Sequence, residues 1–575
     1  MRSALASVLT ATAFLAALAS ARPAVQQTSV VDTKHNLSIS GPGPYRSTEE
    51  SRICIFCHTP HRARSIAPLW NREDSRETYL TYTSSTFGGD ALQPMGATKL
   101  CLSCHDGSIA LGKVISLDQE IEMSPGHRFL DQGPAFLGTN LLDDHPVSFY
   151  YVSTPASGGR SRADYLDPSS IVPPVHLDPQ GFVQCTSCHD PHNNAFGNFL
   201  LATDRYSELC LSCHAPSLWP SASHRNSNAT WDGGGLDPWP HARYDTVAEN
   251  ACTNCHMAHN AGHPERLFVF EFEEDNCLRC HNGHVAAKDV EAELSKPYSH
   301  DPFATSEVHD PIEDPLAMAR HSECQDCHDP HAARSGTAQP PQVPGPNLDV
   351  SGLDSSGQAV PSIRFLYELC YKCHADNHGG TIHVPRQVQQ ANTRVEFNPG
   401  NPSFHPLEAP GANPSVPSLL PPWNESSMLA CTDCHASDDS PGFGGSGPAG
   451  PHGSVYRPLL GANYELADNS AESPAAYALC YKCHSRESIL DDDSFKRHKK
   501  HVEGENTPCS VCHDSHGISS SAMIGGDHTH LINFDISVVS PSPTTGQLFF
   551  EERGFRAGSC TLMCHGEDHV DAEYH

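Results

Sequence analysis

Basic residues are scarce in this chain: 36 lysines and arginines face 68 aspartates and glutamates, a formal net charge of −32. Nucleic acid binding needs a basic surface, so that partner is excluded. An acidic exterior favours cations and basic partners instead. Apolar residues are scarce too, at 38%, against roughly 45–50% in ordinary globular domains. With 47 prolines, 42 glycines and no sustained helical or strand periodicity, a conventional core is excluded. Past residue 21 no apolar run is long enough to span a membrane. Methionine is rare, with 8 in 575 residues including Met1. Finally, no cysteine stands outside twelve short sites.

Those sites are what the chain has in abundance. Eleven are Cys-x-x-Cys-His. They are Cys54/Cys57/His58, Cys101/Cys104/His105, Cys185/Cys188/His189, Cys210/Cys213/His214, Cys252/Cys255/His256 and Cys277/Cys280/His281. The others are Cys324/Cys327/His328, Cys370/Cys373/His374, Cys431/Cys434/His435, Cys480/Cys483/His484 and Cys509/Cys512/His513. The twelfth, Cys560/Cys564/His565, has one extra residue between its cysteines.

This spacing is the attachment signature of c-type haem. Residues three or four apart share a helical face, so both thiols can reach the porphyrin vinyl groups. The adjoining histidine then presents its imidazole to the iron. Zinc knuckles or a disulfide framework would not require a histidine at the same offset every time. The chain is therefore expected to carry about 12 haems c, one per 48 residues (575/12). At that density the cofactors are the core: short helices at the haem motifs, irregular coil between them, little or no β-sheet, and an elongated, haem-packed body.

Residues 1–21 read as a signal peptide, with Met1-Arg2-Ser3, an apolar stretch to Ala19, and Ala19-Ser20-Ala21 as the cleavage site. Export to the periplasm, the cell surface or beyond is the expectation. No cysteine follows to carry a lipid.

The sites fall into six couples with the boundaries 22–150, 151–235, 236–299, 300–395, 396–490 and 491–575. Repetition of a unit too small to fold alone predicts a quasi-linear array of neighbours that bury one another.

Each iron needs a second axial ligand. Methionine is too rare, while 38 − 12 = 26 histidines remain, so bis-histidine ligation is the default. A histidine three residues after the proximal one recurs at His61, His192, His259, His331 and His516. These are expected to ligate the other haem of their own couple. Histidines upstream of each couple, His35, His145, His241, His321, His405 and His501, are expected to serve its first haem. His176 rivals His145, His530 rivals His516, and His284 repeats the downstream offset after a second site. In the fifth couple Ala436-Ser437-Asp438 stands where the downstream histidine should be, and His452 is its expected substitute. His127, His224, His300, His309, His378, His383, His498, His528 and His569 are held in reserve. The basic run Lys496-Arg-His-Lys-Lys-His501 suits haem propionates or a solvated face better than an acidic docking partner.

Three stretches carry a resemblance. They are Cys54-Ile-Phe-Cys-His-Thr-Pro-His61 with Ala67-Pro-Leu-Trp-Asn71, Cys185-Thr-Ser-Cys-His-Asp-Pro-His192, and Asp144-His-Pro-Val-Ser148. The chain resembles the paired-CXXCH multihaem c-type cytochromes exported by metal-reducing bacteria. The resemblance implies electron transfer by haem-to-haem hopping, not catalysis on a substrate. The implied partners are other electron-transfer proteins or extracellular metal oxides, with a homopolymeric filament or an outer-membrane porin as alternative settings. The rival reading is a reductase of nitrite, hydroxylamine or tetrathionate, which needs one open haem. The Cys-x-x-x-Cys-His site and the missing histidine of the fifth couple depart from the pattern.

Overall fold

Coil dominates, and all but two of the described helical segments run six residues or fewer. The computed structural model describes residues 29–64, 69–151, 164–304, 308–377, 379–519 and 526–575. The signal segment 1–21 and His378 lie outside the described residues.

The two longest helices, α1 (Gly96–His105) and α2 (Leu366–His374), each end in a haem motif. Glu368 caps α2 from within: its carboxylate accepts the amides of Arg364 at 2.6 Å and Phe365 at 3.1 Å. Elsewhere a motif forms a single turn. The histidine amide of the motif returns to the first cysteine carbonyl, at 2.7 Å for His58, 3.0 Å for His189 and 2.8 Å for His435. The residue before the second cysteine often locks this turn. Ser187 accepts the amide of Gln184, Asp326 that of Glu323, and Asp433 that of Ala430, at 3.1, 2.9 and 2.9 Å.

After the turn, the chain folds back on its own motif. His58 bridges Trp70, His189 bridges Leu200, and His256 bridges Phe268. One residue further on, the amides of Asn71, Leu201 and Val269 bond the second cysteine carbonyls of their motifs at 2.9, 2.8 and 3.0 Å.

Sheet is sparse, and three two-stranded ladders join distant segments. Phe149–Tyr150 pairs with Phe182–Val183, Tyr298–Ser299 with Gly453–Ser454, and Ser403–Phe404 with Gly517–Ile518, all antiparallel. The last two ladders set His300 beside His452 and His405 beside His516. At the C-terminus β1 (Phe549–Glu552), β2 (Gly558–Cys564) and β3 (Glu567–Tyr574) form an antiparallel sheet in the order β3-β2-β1. A register shift falls between Cys560 and Leu562.

Buried apolar side chains form small separate clusters, such as Ile55, Phe56, Leu111, Val114, Ile121 and Met123 near the first couple. Val511, Phe534, Val539, Phe550 and Leu562 form another near the last. Buried guanidinium groups tie coil together where helices are lacking. Arg72, fully buried, donates to the carbonyls of Leu111, Ser103 and Ala110 at 2.7, 2.9 and 3.1 Å. Among the described residues no helix is long and apolar enough to cross a membrane.

Candidate haem sites

No motif cysteine forms a disulfide. The motifs touch one another in sequence order. Within a couple the second cysteines are electrostatic neighbours: Cys57 with Cys104, Cys188 with Cys213, and Cys255 with Cys280. Cys327 with Cys373, Cys434 with Cys483, and Cys512 with Cys560 and Cys564 continue the series. Between couples the first cysteines meet through hydrogen bonds: Cys101 with Cys185, Cys210 with Cys252, and Cys277 with Cys324. Cys370 with Cys431 and Cys480 with Cys509 complete the file. Two kinds of junction thus alternate from the first motif to the twelfth. Burial pushes Cys57, Cys188 and Cys255 up to about 12, so these thiols are neutral.

A connected cavity of about 2250 Å³ runs past the motif cysteines from Cys210 to Cys434. That is several times the roughly 300–1,000 Å³ of a single-ligand pocket.

The histidines are arranged in facing pairs. Two imidazoles that share one metal, each about 2 Å from it, hold their ring centroids about 6 Å apart. His58 and His192 stand 6.0 Å apart, His105 and His35 6.2 Å, His189 and His259 6.2 Å, His214 and His145 6.3 Å. His256 and His331 stand 6.1 Å apart, His281 and His224 6.1 Å, His328 and His452 6.1 Å. His374 and His300 stand at 6.2 Å, His435 and His516 at 6.1 Å, and His513 and His498 at 6.3 Å. His405 is the main electrostatic neighbour of His484. Burial holds several of these rings neutral: it pushes His214, His435 and His452 down to about 3 and His281 to about 4.

Most rings also have Nδ1 occupied, leaving Nε2 to face the gap. Nδ1 of His105 meets the Ala135 carbonyl at 2.7 Å, His256 that of Arg266 at 2.7 Å, and His328 that of Pro346 at 2.9 Å. Two rings use carboxylates instead: His259 with Asp144 and His516 with Glu396, both at 2.9 Å.

This pattern corrects the expected distal assignments. The downstream histidine does not face the other motif of its own couple. His192, His259, His331 and His516 each reach back to the first motif of the preceding couple. His452 does the same, facing His328 of the fourth couple, not a motif of the fifth. The upstream histidines His35, His145 and His405 face the second motif of their couple, not the first. The reason is topological: a loop of fixed length past a motif overshoots its own couple and lands on the one before.

Four expected ligands face no motif histidine, His501 among them, since it faces His569. His61 is exposed. His241 contacts the Thr253 carbonyl through Nε2 at 2.6 Å and Phe270 at 6.3 Å. His321 faces His309 at 6.2 Å. The expected places of His61, His241 and His321, opposite His105, His256 and His328, are taken by His35, His331 and His452. His281, His374 and His513 are faced by His224, His300 and His498, named above only as reserves. The basic run 496–501 thereby supplies two facing rings, His498 and His501.

The twelfth site differs. Its cysteines lie on strand β2, and His565 sits in the tight turn to β3 with φ at 49°. Nε2 of His565 meets both carboxylate oxygens of Asp468 at 3.0 Å. His569, on β3, is the ring that faces His501, at 6.5 Å. The extra residue between the cysteines thus coincides with a strand in place of a helical turn.

Residues 180–217 match the family model for the doubled CXXCH motif. That match supports a place among the paired-CXXCH multihaem cytochromes, and CXXCH motifs imply covalently bound haem c. No curated protein matches the chain.

Proposed function

We propose that the chain is a dodecahaem c-type cytochrome, with about twelve haems each held between two histidines. Ten facing pairs between a motif histidine and a second ring, all at 6.0–6.3 Å, carry this reading. The paired thiols would bond the vinyl groups, and the cavity beside them suits several porphyrins in succession. Haem iron supplies one-electron redox chemistry that the side chains lack.

The chain's own residues do the rest. Imidazole Nε2 atoms would hold each iron, and the acceptors at Nδ1 would hold the ring planes. Alternating cysteine junctions would keep successive porphyrins close, so electrons hop along the file in sequence order. Two facing imidazoles per haem would leave no iron open to nitrite or a similar substrate, which favours a carrier over a reductase.

The setting we infer is outside the cytoplasmic membrane. Other electron-transfer proteins or extracellular metal oxides would be the partners, and a filament or porin conduit the alternative assemblies. Cys54 of the first motif is exposed and suits a terminal exchange point.

Intact-mass spectrometry of the purified protein should give the chain plus twelve haems. Electron paramagnetic resonance of the oxidised form should show low-spin iron alone. Fewer haems, or a stoichiometric high-spin signal with nitrite reduction, would overturn the reading. Electron microscopy separates filaments from discrete particles.

A further inference from the structure

His309 and His321 face each other, and neither faces a motif histidine. Their centroids stand 6.2 Å apart, the same separation as the haem pairs. Neither is the histidine of a Cys-x-x-Cys-His motif, and both stand close to the carboxylates of Asp326 and Glu313. Nδ1 of His309 is 3.4 Å from Asp326 Oδ1 and 3.6 Å from Glu313 Oε1. Nε2 of His321 is 3.3 Å from Asp326 Oδ2 and 3.6 Å from the same Glu313 oxygen. One donor atom each from His309, His321 and Asp326 lies within 4.8 Å of the others.

These separations are too long and misdirected for hydrogen bonds. Nδ1 of His309 and Nε2 of His321 are both buried without a hydrogen-bond partner. The His309 side chain is 5% exposed and that of Asp326 6%. Leaving such atoms unsatisfied in the interior is unfavourable. A tetrahedral ion with ligands about 2.0–2.2 Å away sets its donors about 3.3–3.6 Å apart. That is the spacing found here.

We propose that His309, His321, Asp326 and Glu313 bind one divalent first-row ion, zinc by preference. Two imidazoles and two carboxylates match zinc's borderline character, and two negative charges balance the ion. The surroundings hold the donors in place. Nδ1 of His321 meets the Ala319 carbonyl at 2.8 Å, which leaves Nε2 for the ion. Glu273 accepts the amides of His309 at 2.9 Å and Gln325 at 3.0 Å, tying the two ligand-bearing segments together. Lys372 bonds Asp326 Oδ1 at 2.7 Å from outside the cluster.

The site touches two haem motifs. Asp326 stands between Cys324 and Cys327, and Lys372 between Cys370 and Cys373. The ion would clamp the segment 309–321 onto the seventh motif and place a fixed positive charge beside it.

The test is elemental analysis of the haem-loaded protein, grown with added zinc and freed of loose metal by brief chelation and gel filtration. One zinc per chain is expected. The double variant H309A/H321A should lose it, while H383A keeps it. E313Q, altered at the most exposed ligand, should weaken zinc at least tenfold in calorimetric titration of chelated protein with zinc chloride. Unchanged haem spectra confirm folding of each variant. No retained zinc together with no saturable binding overturns the proposal, as does equal binding by E313Q.

Discussion

The Pro330 carbonyl accepts a hydrogen bond from Nδ1 of His224 at 3.1 Å, and the next residue, His331, faces His256. One loop of the fourth couple therefore serves both histidine pairs of the third. The device recurs along the chain. Pro191 meets His35 at 3.2 Å while His192 faces His58. Pro451 meets His300 at 2.9 Å while His452 faces His328. Ser515 holds His405 while His516 faces His435. In the second couple the Ala258 carbonyl takes the amide of His145, at 2.8 Å, while His259 faces His189. Successive couples are thus stitched together by the ligands of the proposed haems, and none of the first five couples is complete without the next.

Removing either ring of this device should open one iron only. H331A is expected to convert the fifth haem to a high-spin, carbon-monoxide-binding form, and H224A the sixth. Paramagnetic resonance and carbon monoxide difference spectra of the two variants check this. Had the downstream histidine served its own couple, H331A would open the eighth haem, beside His374, and mapping the site by paramagnetic shifts would reveal it.

The two carboxylate-held rings should define the low-potential end of the haem range. Asp144 and Glu396 draw the Nδ1 protons of His259 and His516 and make Nε2 a stronger donor to ferric iron. Replacing either with its amide, D144N or E396Q, should raise the potential of the third or ninth haem. A tenfold loss of ferric over ferrous affinity corresponds to about 59 mV for one electron. Spectroelectrochemical titration of each variant reads the shift, and no change would mean the carboxylate only positions the ring.

Acid should loosen the assembly in a defined window. The unfolded histidine value lies near 6.5, and burial lowers His35 to about 4 and His214 and His498 to about 3. Below about pH 6.5 the unfolded chain binds protons that the folded chain does not, so stability falls as pH falls. Iron ligation deepens the same trend. Denaturant midpoints should hold steady at pH 7–8 and drop progressively from pH 6.5 towards 4, with high-spin iron appearing as they do.

Much of this was legible in the residues, because covalent chemistry fixes local spacing. The twelve cysteine pairs announce the cofactor, and the deficit of apolar residues announces a coil built around it. His452 was recognisable as the substitute in the fifth couple, since Ala436-Ser437-Asp438 left a gap that only a nearby histidine could fill. Its partner was not recognisable, because partner choice depends on where a loop lands in space. His224 and His300 carry no local signal at all; Pro330 and the Tyr298–Ser299 ladder select them. His321 looked like a ligand and sits in a cluster of another kind.

The twelfth site gives the sharpest test of ligand choice. Sequence spacing nominates His565 as proximal ligand, yet that ring lies on Asp468 in a tight turn, while His569 faces His501 across 6.5 Å. A strand alternates its side chains between faces, so the residue adjoining Cys564 cannot return to the porphyrin as it does after a helical turn. H569A should therefore produce one high-spin haem with both thioether bonds intact by mass. H565A should keep all irons low-spin and lose only the contact to Asp468. The reverse outcome would restore the ordinary motif geometry to this site and leave His569 as a bystander on β3.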